Sequence, residues 1–288
     1  MGYLLIMIEL LIGNVGTVIR KHYIKKTAHL STSNNIYILL AHPVAAVYFF
    51  IMVKGNVSLN TPTFFFSLLY AVCCLSSVII SFYAYQETNL VYMSVFGGAG
   101  RFIIPFFVEM FFWNEKFSVC EIISVVIRTL AIFIPLFFAK EQKKGLKICI
   151  LLFLVSAVSR ILTKSYAVTP SVLSETSWFF WTNVFIIPLT FVIILKREGA
   201  EAIKRDVKKI SPYLYIYILA GTAISNSSAV ISVQVLRLLS ATASSVVSAA
   251  IGMVITVLLS TLIYKEDVNK VTYISAGLSA AAGILSVF

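Results

Sequence analysis

Long apolar runs, separated by brief polar breaks, follow one another along the whole of this sequence. We read ten of them, at 3–19, 34–53, 63–85, 90–112, 117–138, 146–168, 174–195, 212–236, 240–263 and 271–287. Each lies near the roughly 20 apolar residues that an α-helix needs to cross a bilayer. Because lipid offers no partners to open backbone N–H and C=O groups, each run is predicted to be a transmembrane helix.

The composition agrees with a chain that is surrounded mainly by lipid. Hydrophobic residues make up 59% of the chain and charged residues 12%, whereas soluble domains hold about 45–50% and about 25%. The net charge of +11 comes from cations in short segments between the apolar runs, not from one basic stripe, which argues against nucleic acid as a partner. We therefore predict a multi-pass integral protein of the plasma membrane, with membrane lipids as partners.

The two halves of the chain look like weak copies of each other. Glu115 and Glu266 each follow an apolar run rich in small residues, and the same offset of 151 pairs Pro105 with Thr256. An odd number of spans in each half would make the two copies inverted in the membrane. Inverted repeats are a common transporter design, with the site near the midplane at their interface.

The basic break from Lys140 to Lys147 lies near the middle of the chain and divides the copies. We predict a first five-helix repeat at 1–139, a linker at 140–145 and a second five-helix repeat at 146–288. The predicted fold is thus an all-α membrane protein with ten transmembrane helices in two inverted repeats. The polar stretch at 196–211 is predicted to form a short surface helix.

Several short motifs carry a family resemblance that covers the whole chain. They are the polar end of the third run, Ser81 to Asn89; a small-residue run with a central Pro105; the turn Trp113-Asn114-Glu115-Lys116; and its second copy, Tyr264-Lys265-Glu266-Asp267. The pattern resembles the EamA type of the drug/metabolite transporter superfamily. Asn114 departs from the family, which usually has glycine before this glutamate. The resemblance implies ten helices, two repeats, a central cavity and secondary transport or exchange, without naming a substrate.

Charged residues inside the apolar runs are the first candidates for a site, because an ionisable side chain within a membrane is costly and usually functional. Three arginines, Arg101, Arg128 and Arg160, are predicted to contact substrate and favour an anionic solute. Arg101 is the strongest candidate, since it lies among glycines and one turn before Pro105. The alternatives are ion pairs with the two deep acids or side chains that extend to the membrane surface.

Neutral polar residues complete the predicted site. Trp181, Asn183, Asn226 and Gln234 are predicted to line it, and for Asn226 and Gln234 hydrogen bonding between helices is the alternative. Proton coupling or ion pairing is predicted for Glu9, His42 and Glu109, and ordinary packing remains open for His42. We predict no catalytic residue, metal ligand or cofactor, and we find no phosphate-binding loop or zinc motif.

The sequence predicts a secondary transporter, an exporter or exchanger of small organic solutes that works by alternating access and is not an enzyme. A lipid-linked flippase or an accessory membrane subunit of the same superfamily is the alternative. Substrate, direction, coupling ion and oligomeric state are left open. So is orientation: sixteen Lys and Arg residues lie in segments opposite the termini and four on the terminal side, which places the termini outside the cytoplasm, whereas the family implies termini inside.

Overall fold

The computed structural model describes most of the chain as helix. The described residues are 2–27, 29–30, 32–88, 90–114, 116–138, 145–197, 199–238, 241–263 and 270–285. Within them lie eleven α-helices, a five-residue π-helix and no β-strand. The helices are α1 (Gly2–Thr27), α2 (Ser33–Met52), α3 (Thr61–Glu87), α4 (Leu90–Phe112), α5 (Val119–Phe138), α6 (Leu146–Val168), α7 (Glu175–Arg197), α8 (Ala200–Val207), α9 (Pro212–Leu238), α10 (Ala241–Leu258), continued by the π-helix Leu259–Ile263, and α11 (Lys270–Leu285).

The described helices confirm a helical, multi-pass membrane protein. Each predicted apolar run falls largely on one long helix, and the surface helix predicted at 196–211 is present as α8. Among the described residues, six helical segments are long and apolar enough to span a membrane. They are Ser33–Met52, Thr61–Ser81, Val95–Phe112, Leu146–Val168, Glu175–Ile193 and Pro212–Leu236.

Local sequence explains where several helices begin. Ser118 and Glu121 form a capping box before α5: the Glu121 N–H donates to Ser118 Oγ at 3.2 Å, and the Ser118 N–H donates to Glu121 Oε2 at 2.7 Å. This exchange satisfies two amide groups that a helix start leaves open. Pro212 begins α9, where its missing N–H costs nothing.

Asn114 adopts a left-handed backbone conformation, with φ of 51°. Glycine enters this region without strain, and asparagine is one of the few other residues that tolerate it. The turn after α4 therefore has, at position 114, a residue type that accepts this conformation.

The first helix is longer than the apolar run that predicted it, because it continues beyond residue 19 to Thr27. Lysine and arginine are good helix formers, so loss of hydropathy does not end a helix. Tyr23 is fully buried and its hydroxyl donates to the Ser33 carbonyl at 3.1 Å. This bond ties the polar end of α1 to the start of α2.

The chain forms two compact units, each built from both halves of the sequence. Unit 1 contains Met1–Leu10, Ser76–Ala167 and Gln234–Phe288, and unit 2 contains Leu11–Leu75 and Val168–Val233. These units follow spatial contacts, so the predicted repeats at 1–139 and 146–288 stay a prediction. Of the predicted linker at 140–145, only Gly145 lies within the described residues.

In unit 1, α4 packs against α10, α5 packs against α11, and α10 also packs against α11. A close approach of α4 to α6 depends on Gly100, since a Cβ at this position would collide with the backbone carbonyl of Phe153. The Ser275 hydroxyl on α11 donates to the Ala131 carbonyl on α5. Small side chains thus allow the helices of this unit to pack closely.

In unit 2, the main packing is of α2 against α7. Aromatic side chains fill the space around them. Trp178, which is fully buried, packs against Tyr70 with ring centroids 4.6 Å apart, and Phe49 stacks on Phe179 at 5.4 Å. Rings at these distances stabilise a core beyond the area they bury.

Candidate functional site

The charged residues that the sequence singles out within the apolar runs all belong to unit 1. These are Glu9, Arg101, Glu109, Arg128 and Arg160. The neutral candidates divide differently: His42, Trp181, Asn183 and Asn226 belong to unit 2, and Gln234 belongs to unit 1. The two groups are therefore described separately.

Arg128 on α5 is the most buried of the three arginines, with 3% of its surface exposed. Its guanidinium lies over the ring of Phe102, with Cζ 4.9 Å from the ring centroid. Its Nε and Nη1 are buried and have no hydrogen-bond partner among the residues that the structure describes. The structure therefore holds a cation with open donors inside the helices.

The contacts of Arg128 with the described residues do not offset the cost of burying its charge. Removing an ion from water costs several kcal/mol even after relaxation, on the order of 3–5 when a buried charge is left without its partner. A cation–π contact returns about 0.5–2 kcal/mol. The ring of Phe102 therefore offsets only part of the cost of burying Arg128.

Arg160 on α6 is half-buried and reaches α10. Its Nη2 donates to the Ser244 hydroxyl at 2.7 Å. Ser244 is itself buried. A neutral acceptor satisfies one donor of the guanidinium without cancelling its charge, and the contact fixes the side chain between two helices of unit 1.

Arg101, the strongest candidate from the sequence, has an exposed side chain in the structure. Its neighbour Phe102 faces inward and is 1% exposed. Two consecutive helical residues point about 100° apart, so burying Phe102 turns Arg101 away. The predicted substrate role of Arg101 stays a prediction, and burial favours Arg128 over it.

The two acids differ in burial. Glu109 on α4 is fully buried, whereas Glu9 on α1 is half-buried. Glu109 lies two helical turns after Phe102 and on the same side of α4. The proton-coupling or ion-pair roles predicted for both acids stay predictions.

In unit 2, two residues from the predicted site meet directly. His42 Nδ1 lies 2.8 Å from Asn183 Oδ1, and the Asn183 amide donates to the Phe179 carbonyl at 2.8 Å. Because the Asn183 nitrogen is used as a donor, its oxygen is the acceptor toward His42. The Nδ1 of His42 then carries the proton, which leaves Nε2 as the acceptor in the neutral ring.

The other neutral candidates are engaged locally or lie at the surface. The Trp181 indole N–H donates to the Ser58 carbonyl at 2.8 Å, which ties α7 to the loop before α3. The Asn226 amide donates to the Thr222 carbonyl of its own helix at 2.7 Å. Gln234 is exposed. A solute-lining role for these three residues stays a prediction.

Sequence reasoning missed several partners of the charged and polar candidates. Phe102 and Ser244 contact Arg128 and Arg160, and Tyr48 bonds to Ser227 at 2.9 Å within unit 2. Ser244 lies in a small-residue segment that the sequence marks. Phenylalanine is common in this chain, with 22 copies, so no sequence signal separates Phe102 from the rest.

A separate polar contact lies at the start of α2, outside the membrane-spanning segments. Asp206 on α8 is 2% exposed and accepts bonds from the Thr32 hydroxyl at 2.9 Å and from the Arg205 Nε at 3.1 Å. Burial raises the pKa of Asp206, but the bonds from Thr32 and Arg205 outweigh it and hold the pKa below its usual value. The contact holds the surface helix α8 to the start of α2 through hydrogen bonds to a charged carboxylate.

Comparisons with known proteins bear on the fold alone. No protein-family model matches the chain, and no curated protein matches it. Among the solved structures, 28 chains match. One, described as "Crystal structure of protein", is similar over 99% of this chain and 95% of its own length, with a TM-score of 0.66 and 11% identity. At this identity the likeness shows a shared fold and no activity.

Chemically, the arrangement offers hydrogen-bond donors on cations within the helices. Arg128 on α5 has buried donors without a partner among the described residues. Arg160, on the next helix α6, is a half-buried cation that bonds to Ser244. Among the described residues, no group of three or more His, Cys, Asp or Glu side chains could hold a metal ion. The site is therefore a candidate for non-covalent recognition of an anion.

Proposed function

We propose that this chain is a secondary transporter of small organic solutes, an exporter or exchanger in the plasma membrane. Ten spans would form two inverted five-helix repeats of the EamA type, and alternating access would expose a midplane site at their interface. The proposal combines the membrane-spanning helices with the internal symmetry described next.

The carrying observation is that helices of the two halves correspond at one offset. Adding 151 to the range of α4 gives 241–263, which α10 and its π-helical continuation occupy, and adding 151 to the range of α5 places it on α11. This is the offset that the acidic turns predict from the sequence.

Helices that correspond in the two halves also pack against each other. In unit 1, α4 contacts α10 and α5 contacts α11, and in unit 2, α2 contacts α7. A twofold relation between repeats brings each helix near its axis against its own copy. These pairs support a two-repeat architecture, which in membrane proteins is characteristic of transporters.

The buried charges support transport over a purely structural role. Within membranes, charged side chains mark substrate or ion pathways by default. Arg128 and Glu109 are buried in unit 1 with at most 3% exposure. An accessory subunit or a lipid flippase of the same superfamily would not by itself require an open buried cation.

Flux into proteoliposomes tests the proposal. The purified chain would be reconstituted, loaded with a mixture of labelled small carboxylates, amines and sugars, and followed for exchange. We expect flux of at least one solute class that is lost in Arg128→Met. Flux of no solute, together with transbilayer movement of a labelled polyprenyl lipid, would replace the transporter by the flippase.

A further inference from the structure

We propose that Arg128 is the primary anion-binding residue and that it takes a monoanionic carboxylate on a small apolar stem. The inference rests on the proposed transport function and deepens it, because it names the class of substrate. It also moves the central role from Arg101, which the sequence favours, to Arg128.

The burial and bonding of Arg128 carry the first step. The side chain is 3% exposed, and within the described part of the chain both Nε and Nη1 lack a hydrogen-bond partner. Buried polar groups in folded proteins are almost always bonded. Open donors on a buried cation therefore indicate a site for an acceptor that the folded chain itself does not supply.

The surroundings define the acceptor's stem. The guanidinium lies over Phe102, which forms a buried cluster with Phe106 and Val125, joined by Ile103 and Phe117. An acceptor bound beside this cluster meets apolar side chains next to the cation. A short hydrocarbon stem fits such a setting better than a polyhydroxylated one, whose hydroxyls would lose their bonds to water.

Charge balance defines the acceptor's head. One open cation is neutralised by one negative charge, and a phosphate ester carries about −1.5 to −2 at neutral pH. The excess charge would stay buried and unpaired, which is unfavourable. A carboxylate supplies one charge and two acceptor oxygens, so it matches a single guanidinium.

The second copy of the repeat shows that packing does not demand an arginine here. At the offset of 151, the counterpart of Arg128 is Ser279, which is also buried, at 5% exposure. A small neutral side chain thus fills the corresponding place on α11. The cation at residue 128 therefore occurs in only one of the two corresponding helices, as expected for a single site that binds one solute.

Thermal unfolding in detergent, with defined ions as probes, tests this inference apart from transport. Sodium butyrate is compared with neutral butyramide at matched ionic strength, since a ligand that binds the folded state raises the unfolding midpoint. We expect butyrate alone to raise the midpoint of the wild-type chain. Arg128→Met should abolish this response, and its own midpoint should rise because an open buried charge is removed.

Two further variants keep the test decisive. Arg128→Lys keeps the charge but loses the planar fork, so its apparent butyrate affinity should fall at least about tenfold. Lys147→Gln, the control on an exposed cation of α6 in unit 1, should respond as the wild type does. An unchanged butyrate response in Arg128→Met, or a lost response in Lys147→Gln, would overturn the assignment.

Two other anions separate the carboxylate from other sources of negative charge. Inorganic phosphate and dimethyl phosphate, which mimics a lipid headgroup, should stabilise less than butyrate, and a stronger effect of either would overturn the carboxylate. A butyrate response without flux would leave the anion site standing and remove the transporter. Flux without any Arg128-dependent butyrate response would leave the transporter standing and remove the anion site.

Discussion

Units 1 and 2 differ in the polar side chains that their apolar runs contain. Unit 1 contains the charged candidates of these runs, with Arg128 and Glu109 both buried and Arg160 bonded to Ser244. The candidates in unit 2 are histidine, tryptophan and amide side chains, such as the bonded pair of His42 and Asn183, in a unit that also contains packed aromatic rings. Both units are helical, so secondary structure does not account for the difference.

The difference separates polar groups that bond to each other from groups that do not. His42 and Asn183 bond to each other, whereas Nε and Nη1 of Arg128 have no partner among the described residues. Open buried donors cost stability and are kept where a ligand satisfies them. Solute chemistry is therefore expected in unit 1, and the experiments below test that contrast from the largest expected effect to the smallest.

The largest effect is expected at the closest helix approach in unit 1. Gly100→Ala should destabilise the chain by about 3 kcal/mol, at the upper end of overpacking costs, because the new Cβ meets the backbone of Phe153. Thermal unfolding would measure this loss. In a Trp113→Phe background, the fluorescence of Trp178 and Trp181 reports unit 2 alone. The destabilisation by Gly100→Ala should therefore be smaller when unfolding is followed by this fluorescence than when it is followed by circular dichroism.

Gly277→Ala is the matched control for this substitution. Gly277 also lies on a helix of unit 1, but a Cβ there meets nothing within 4 Å. Alanine is the better helix former, so stability should stay level or rise by up to about 1 kcal/mol. Equal losses in both variants would remove the close α4–α6 approach from the argument.

A smaller effect, about 2 kcal/mol for a charged hydrogen bond, is expected in unit 2 from Asp206→Asn. The pKa of Asp206 is lowered in the folded state, so its stabilisation is complete above the unfolded pKa of about 3.9. It is lost as the pH falls through the lower folded value. The stability gap between wild type and variant should therefore be full at pH 6 and should close in acid.

Unfolding curves recorded from pH 6 downward would follow this gap. Glu201→Gln is the control, since Glu201 is an exposed acid on the same short helix. A stability difference that widens in acid, or an equal effect of Glu201→Gln, would contradict a stabilising charged contact between α8 and the start of α2.

The neutral pair of unit 2 should contribute less. Asn183→Ala removes the bond to His42, and bonds between membrane helices are worth about 0.6 kcal/mol on average, with a maximum near 1.7. Asn226→Ala is the comparison, because the Asn226 amide bonds within its own helix. A smaller loss in Asn183→Ala than in Asn226→Ala would show that the pair does not join α2 to α7.

The smallest effect on stability is expected from Arg101→Gln. The side chain is exposed, so its substitution leaves the packed core of unit 1 unchanged. Solute flux is the informative measurement here, because the sequence predicts a substrate role for Arg101. Loss of flux at unchanged stability would return Arg101 to the site and weaken the contrast between the three arginines.

The sequence predicted the helices closely, but it did not predict which candidate residues contact each other. Hydropathy located the apolar runs because membrane insertion depends on local transfer energy, and each run falls largely on one described helix. The same signal missed the end of α1 at Thr27, since helix formation continues through lysines. His42 and Asn183 were both marked, but their contact joins residues 141 positions apart.

The sequence by itself determined that this chain is helical, crosses a membrane and carries ionisable groups within its apolar runs. These properties follow from local composition, because each segment enters the bilayer according to its own apolar content. Only the tertiary structure decided that Arg128 is buried over Phe102 while Arg101 is exposed. Burial depends on which side of a helix faces its neighbours, and that is set by long-range packing.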